Sequence, residues 1–183
     1  MNLRNFWTSI DKINFILILI LGLLGVLLSY SVNQNFLIIN RHGVFYIFSL
    51  LIIILLSQQS DKNIRRFALF GFIILIILLG SLFFFDYEVK GAKRWLKVNN
   101  FSFQPSEVIK PFFIVLSSWG IAQSIHGRKY YLVTTFIFFI FLIALVLMQP
   151  DLGMTILISA TFFCQLFIAG LPILLVIYGL IFI

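Results

Sequence analysis

An all-α, polytopic integral membrane helix bundle is the fold class predicted, and three observations predict it. Hydrophobic residues fill 62% of the 183 positions and charged ones only 10%, with a mean hydropathy of +1.12, far outside the usual range of soluble domains. The apolar residues stand in several long runs, which argues against a cleaved leader followed by a soluble domain. The charges gather in short polar stretches between those runs.

Crossing roughly 30 Å of hydrocarbon takes about 20 apolar residues at 1.5 Å each. Six segments meet or approach that length: Ile13 to Tyr30, Gly43 to Ser57, Phe67 to Phe85, Pro105 to Ala122, Tyr131 to Met148 and Leu152 to Ala169. The second is short, so it is expected to begin inside the preceding polar turn. A truncated seventh occupies Leu171 to Ile183. Residues 1–183 are accordingly read as the N-terminal part of a single transmembrane domain in a longer protein, or as a half that pairs with another chain.

Orientation is read from Lys and Arg between the spans. With the N-terminus in the cytoplasm, Arg4, Lys12, Lys62, Arg65, Arg66, Arg128 and Lys129 lie inside, against Arg41, Lys90, Lys93, Arg94 and Lys97 outside. Seven against five favours this topology weakly, and the short basic loop SQQSDKNIRR favours it strongly. The cations between Phe85 and Pro105 then stand on the unfavoured side, so something other than topology must hold them there.

Several chemistries are excluded early. Cys164 is the lone cysteine, so there is no intrachain disulfide and no Cys-based metal site. The net charge of +7 fits cytoplasmic loops and anionic membrane lipid, and nucleic acid is not an expected partner. No His, Cys and Asp cluster has metal-ligand spacing, no Gly-rich loop joins strand to helix, and no nucleophile–base pair is visible. His42 and His126 are read as loop residues, Gln165 as a helix bridge, and the many Phe residues as lipid-facing filler.

The polar residues that remain cluster in GAKRWLKVNNFSFQPSEVIK, residues 91–110. Lys90, Lys93, Arg94 and Lys97 surround Trp95, a pattern that serves equally as an interfacial anchor or as a receptor for phosphate, since Arg offers a planar fork and Lys a mobile charge. Pro105 suits a first helical turn, and Glu107 meets the positive end of the helix dipole. Lys110, one turn deeper, is not explained that way. It shares a helix face with Glu107, and an intramembrane charge costs at least ~2.5 kcal/mol on insertion scales, so it is expected to face a cavity or a partner. Pro111 removes a backbone hydrogen bond beside the pair and is expected to kink the helix. The same grammar returns in MQPDLG, residues 148–153, where Asp151 opens a helix as a cap or a site carboxylate and Gly153 permits close backbone approach. Glu107, Lys110 and Asp151 are therefore expected to converge on one extracytoplasmic site.

The stretches GAKRWLKVNNFSFQPSEVIKPFFIV and MQPDLGMTILI resemble the SEDS family of polytopic peptidoglycan glycosyltransferases, and its division branch more than its elongation branch. The resemblance covers essentially the whole chain as the family's N-terminal half. It implies an enzyme that polymerises lipid II into glycan strands at the outer face of the bacterial cytoplasmic membrane, working with a class B penicillin-binding protein and other membrane proteins of cell division. The family's Gly-Ala-x-Arg-Trp stretch falls on Gly91, Ala92, Arg94 and Trp95, its Gln-Pro-Ser-Glu-x-x-Lys stretch on Gln104 to Glu107 and Lys110, and its Gln-Pro-Asp-Leu-Gly stretch on Gln149 to Gly153. NRHG around Arg41 and Met154 before Thr155 depart from the pattern. The carboxylate the family uses for catalysis is expected beyond residue 183, so residues 1–183 are expected to be inactive alone.

Glycosyl transfer from a polyprenyl pyrophosphate needs a carboxylate to take the hydroxyl proton and fixed cations, or a divalent metal, against the leaving phosphates. Lys93 and Arg94 are expected at the phosphates and Lys110 at charge support. Trp95, Gln104, Glu107 and Asp151 are expected at substrate binding or at the ion. Two other readings stay open here: a transporter of the lipid-linked precursor, and a scaffold without catalysis.

Overall fold

A computed structural model describes residues 11–32, 36–84, 94–98 and 101–170. Among these are six α-helices: α1 (Lys12–Val32), α2 (Phe36–Ser57), α3 (Asp61–Ser81), α4 (Pro105–Ile125), α5 (Tyr130–Met148) and α6 (Leu152–Ile168). A 3-10 turn, Leu82–Phe84, extends α3. Between α3 and α4 lies an antiparallel hairpin, β1 (Leu96–Val98) and β2 (Phe101–Phe103), with Leu96 opposite Phe103. The period-2 alternation of LKV and FSF is what a strand requires. Lys90, Lys93 and the apolar segment from Leu171 to Ile183 fall outside the described residues.

Lys12–Ser31, Asp61–Phe84, Pro105–Ile125 and Tyr130–Met148 are long and apolar enough to cross a membrane, while the apolar parts of α2 and α6 are shorter. At 17 residues, α6 rises about 25 Å. Helix α2 starts at Phe36, seven residues before its apolar run, because Asn40, Arg41 and His42 continue the helical backbone without adding hydropathy. Ile13, Ile77 and Ile137 are each more than half exposed, a surface suited to lipid and not to water.

Two compact units divide the chain, Met1–Ile64 and Arg65–Ile183. In the first, Asp11 caps α1 by accepting from the Ile13 N–H at 3.0 Å and the Asn14 N–H at 3.3 Å. Tyr46 of α2 donates to the Leu19 carbonyl of α1 at 2.9 Å, with its ring against Gly22. In the second, α3 to α6 close on a phenylalanine core. Phe139 and Phe162 stack at 4.4 Å, and Phe113 and Phe136 approach Phe162 at 5.8 and 5.2 Å. The phenylalanines are therefore not filler alone: Phe72, Phe113, Phe139 and Phe162 are buried. Lipid supplies no hydrophobic drive between helices, so close packing and ring contacts must hold them together.

Gln104 reaches Asp151 at one end of the α4–α6 pair, and Ser117 donates to Gln165 at 2.6 Å further along. The two helices therefore run parallel, with their N-termini side by side. Gln165 also donates to the Ile114 carbonyl at 3.1 Å, so it does bridge helices. Helix α4 runs unbroken through Pro111, although the ring leaves the Glu107 carbonyl without its helical donor.

Candidate functional site

The polar residues at the N-terminal ends of α4 and α6 form a knot around the QPD turn. Arg94, just before β1, donates from Nε to the Gln149 carbonyl at 3.0 Å and from Nη2 to the Pro150 carbonyl, and its Nη1 lies 3.9 Å from Asp151 Oδ1. Asp151 caps α6 by accepting from the Met154 N–H at 3.2 Å. Its other oxygen faces the Gln104 amide at 3.4 Å. The same amide donates to Ser106 Oγ at 3.0 Å. Gln149, only 1% exposed, donates to the Leu79 carbonyl at the end of α3 at 3.3 Å, and its Oε1 has no partner among the described residues. The knot thus ties the ends of α3, α4, α5 and α6 together.

Glu107 and Lys110 stand apart from it. They form an ion pair at 2.6 Å, with the Lys110 side chain 21% exposed and that of Glu107 55%. Lys110 lines a groove of ≈ 290 Å³ with Pro111, Phe113 and Ile114 of α4 and Leu157, Ile158 and Thr161 of α6. Lys110 follows Gln104 by six residues, as Leu157 follows Asp151, so its backbone is about 9 Å further along the parallel helices than the knot, with the ammonium reaching back to Glu107. Among the described residues no hydrogen bond or ion pair links Glu107 or Lys110 to Asp151. The expected convergence of the three groups is resolved into two neighbouring clusters at successive depths.

Arg94 does not present a free fork, because two carbonyls and a carboxylate take its three nitrogens. Trp95 is half-buried beside it. Gln149 is the residue whose importance sequence reasoning passed over. Its only signal was position, since a glutamine closing an apolar run, one residue before a proline, must satisfy its amide inside the bundle. At Gly153 a Cβ would meet only Asp151 Oδ1, at 3.9 Å, so close approach does not explain that glycine.

A family model for cell cycle proteins of the FtsW, RodA and SpoVE type matches residues 4–183. The chain belongs to this family. With four described helices long and apolar enough to cross a membrane, the chain is a multi-pass membrane protein of that family. A Caulobacter vibrioides protein named probable peptidoglycan glycosyltransferase FtsW is 33% identical over 178 residues, covering 91% of this chain and 46% of its own length. The chain thus spans about half the length of that FtsW relative. The crystal structure of Thermus thermophilus rod shape determining protein RodA superposes with a TM-score of 0.79 at 23% identity, over 96% of this chain and 58% of that one. A chain from a peptidoglycan synthase complex, described as coordinating polymerization and crosslinking, gives 0.78 at 23% identity, over 96% and 52%. Both likenesses establish the FtsW/RodA fold.

The knot makes a graded prediction. Asp151→Asn can keep the cap through its one amide oxygen but loses the charge facing Arg94 and sets an NH2 opposite the Gln104 amide, so it should lower stability by about 1 kcal/mol. Asp151→Ala loses the cap as well and should cost about 1–2 kcal/mol. Thermal unfolding in detergent measures both, and equal losses would show that charge, not capping, is what Asp151 contributes.

Proposed function

We propose that the chain is the N-terminal part of a peptidoglycan glycosyltransferase that polymerises lipid II into glycan strands during septal wall synthesis. In this reading it sits in the bacterial cytoplasmic membrane with its N-terminus inside and its site at the outer face. It works with a class B penicillin-binding protein and other division proteins. The observation that carries the proposal is Lys110, a cation on a membrane-crossing helix at an apolar groove. A polyprenyl pyrophosphate has the matching pair of features, an anionic head and a long apolar tail. The name of the Caulobacter relative and the polymerization and crosslinking ascribed to the synthase complex support the same reading.

In glycosyl transfer a sugar hydroxyl attacks the anomeric carbon, the bond from that carbon to the pyrophosphate oxygen breaks, and the hydroxyl proton passes to a base. Lys110 would hold charge growing on the leaving pyrophosphate, in a setting where water is partly excluded. Glu107 would orient Lys110 while taking one of its three N–H donors, leaving two for phosphate oxygens. Arg94, Gln104 and Gln149 would position the α4 and α6 ends, and Lys93 and Trp95 would meet the headgroup side of the donor. Asp151 is poorly suited to act as the base, because its oxygens already serve the Met154 N–H and Gln104 beside Arg94. In this reading the base is the carboxylate that the family resemblance puts beyond residue 183, and the chain by itself is expected to make no polymer.

The test uses fluorescent lipid II in liposomes, with the chain alone and with a protein of the relatives' full length. Glycan ladders from the longer protein only are the expected result. Movement of label between leaflets without polymer would make the protein a transporter, and neither activity would leave a scaffold.

A further inference from the structure

The opposite end of the second unit carries a cluster that glycosyl transfer does not use. The Arg65 guanidinium lies 4.6 Å over the Trp119 ring, and Trp119 meets Tyr131 edge-on at 4.8 Å. The Tyr131 N–H bonds the Arg128 carbonyl at 3.1 Å, in the turn between α4 and α5. Arg66, Arg128 and Lys129 are exposed. Among the described residues of this unit the carboxylates are Glu107 and Asp151, both at the far end. Asp61, one turn earlier on α3, forms no ion pair with Arg65 or Arg66 among the described residues.

Among the described residues four cations thus have no carboxylate partner, at the ends of three helices long and apolar enough to cross a membrane. Arg65 stands near the start of α3, Trp119 in the last two turns of α4, and Tyr131 at the start of α5. Indole and phenol rings at such positions occupy headgroup depth. The stacked guanidinium is held in place, and its planar fork suits phosphate oxygens. Directly beyond Arg65 and Arg66, Phe67 and Phe70 turn outward, 55% and 67% exposed, so an apolar surface continues from the cations toward the hydrocarbon.

We propose that Arg65, Arg66 and Arg128, backed by Trp119 and Tyr131, form a site for the phosphate of an anionic membrane lipid, whose acyl chains lie along Phe67 and Phe70. The complementarity is twofold: positive charge without a carboxylate partner among the described residues for the head, Arg128 being held by a neutral hydrogen bond to Gln123 Oε1 at 3.2 Å, and exposed aromatic surface for the chains. Each cation near an anionic membrane surface contributes a several-fold gain in binding. Three together should give at least about a tenfold preference over a zwitterionic lipid at low salt.

Native mass spectrometry of the chain in detergent, with phosphatidylglycerol and phosphatidylcholine supplied equally, reads that preference. The wild type should retain phosphatidylglycerol about tenfold more, and a variant with Arg65→Gln, Arg66→Gln and Arg128→Gln should retain the two lipids alike. An unchanged preference in the variant overturns the proposal. So does displacement of the lipid by excess inorganic phosphate or by an acidic peptide, either of which would make the ligand a soluble anion. A second measurement avoids the arginine changes. With Trp7→Phe and Trp95→Phe leaving Trp119 as the sole indole, phosphatidylglycerol brominated on its acyl chains should quench emission more than brominated phosphatidylcholine at equal fraction. Equal quenching counts against the site.

Discussion

Lys110→Met, placed in a protein of the relatives' full length, is expected to lower the rate of glycan polymerisation at least about a hundredfold while leaving helicity and thermal stability nearly unchanged. The rate effect follows from position. A fixed cation that meets charge only as the leaving pyrophosphate develops it acts on the barrier, and removing one such group typically costs about 3 kcal/mol. The small stability effect follows from exposure. Glu107 is 55% exposed in its side chain, so it stays solvated without its partner, and an ion pair this open contributes no more than ~1 kcal/mol. A double-mutant cycle separates two roles for the lysine. If Lys110 serves only to neutralise Glu107, then Glu107→Gln together with Lys110→Met should recover much of the activity that Lys110→Met loses. If Lys110 meets the donor directly, the double variant should be as slow as the single one. Retention of more than about a third of wild-type turnover by Lys110→Met, in a rate assay with labelled lipid II, would remove the lysine from the mechanism.

Sequence periodicity and length revealed the helices because the bilayer imposes a fixed length of apolar chain, and Pro105 and Asp151 marked two helix starts through first-turn chemistry. Hydropathy measures side chains, however, while a helix boundary is set by backbone hydrogen bonds. That is why α2 extends back to Phe36 through Asn40 and His42. The hairpin was hidden for a related reason: each strand has three residues, too few for a periodic signal to stand out from a polar loop. Within the site, the residue types were legible and their partners were not. The Glu107–Lys110 pair could be read from a spacing of three along one helix. Nothing local in the chain announces that Arg94 turns to Gln149, Pro150 and Asp151 more than fifty residues away, or that Asp151 and Lys110 belong to different depths. Those facts depend on α4 and α6 running parallel, which is a property of the packed bundle. The phenylalanines show the same limit: composition made them apolar, and only the fold divides Phe113 and Phe162 in the core from Phe67 and Phe70 facing outward.

Gly120→Val should be the most damaging single change in the helix packing, lowering stability by about 2–4 kcal/mol through overpacking and a lost hydrogen bond. Gly120 is buried where α4 crosses α5, and a Cβ there would run into Thr135 Oγ1. Thr135 has little freedom to retreat. Its branched side chain is stiff, and its hydroxyl donates to the Tyr131 carbonyl at 2.7 Å. The Tyr131 carbonyl itself would lie 3.4 Å from the new atom, so the backbones would have to separate. In lipid that separation is not offset by a hydrophobic drive, because helix association rests on close approach of small residues. Gly25 provides the contrast, since a Cβ there meets nothing within 4 Å. Gly25→Ala should be neutral or stabilising by up to ~1 kcal/mol through helix propensity alone. Thermal or SDS-induced unfolding in detergent measures both variants. Equal stability of the Gly120 and Gly25 variants would mean that α4 and α5 do not meet as closely as the crossing at Thr135 requires.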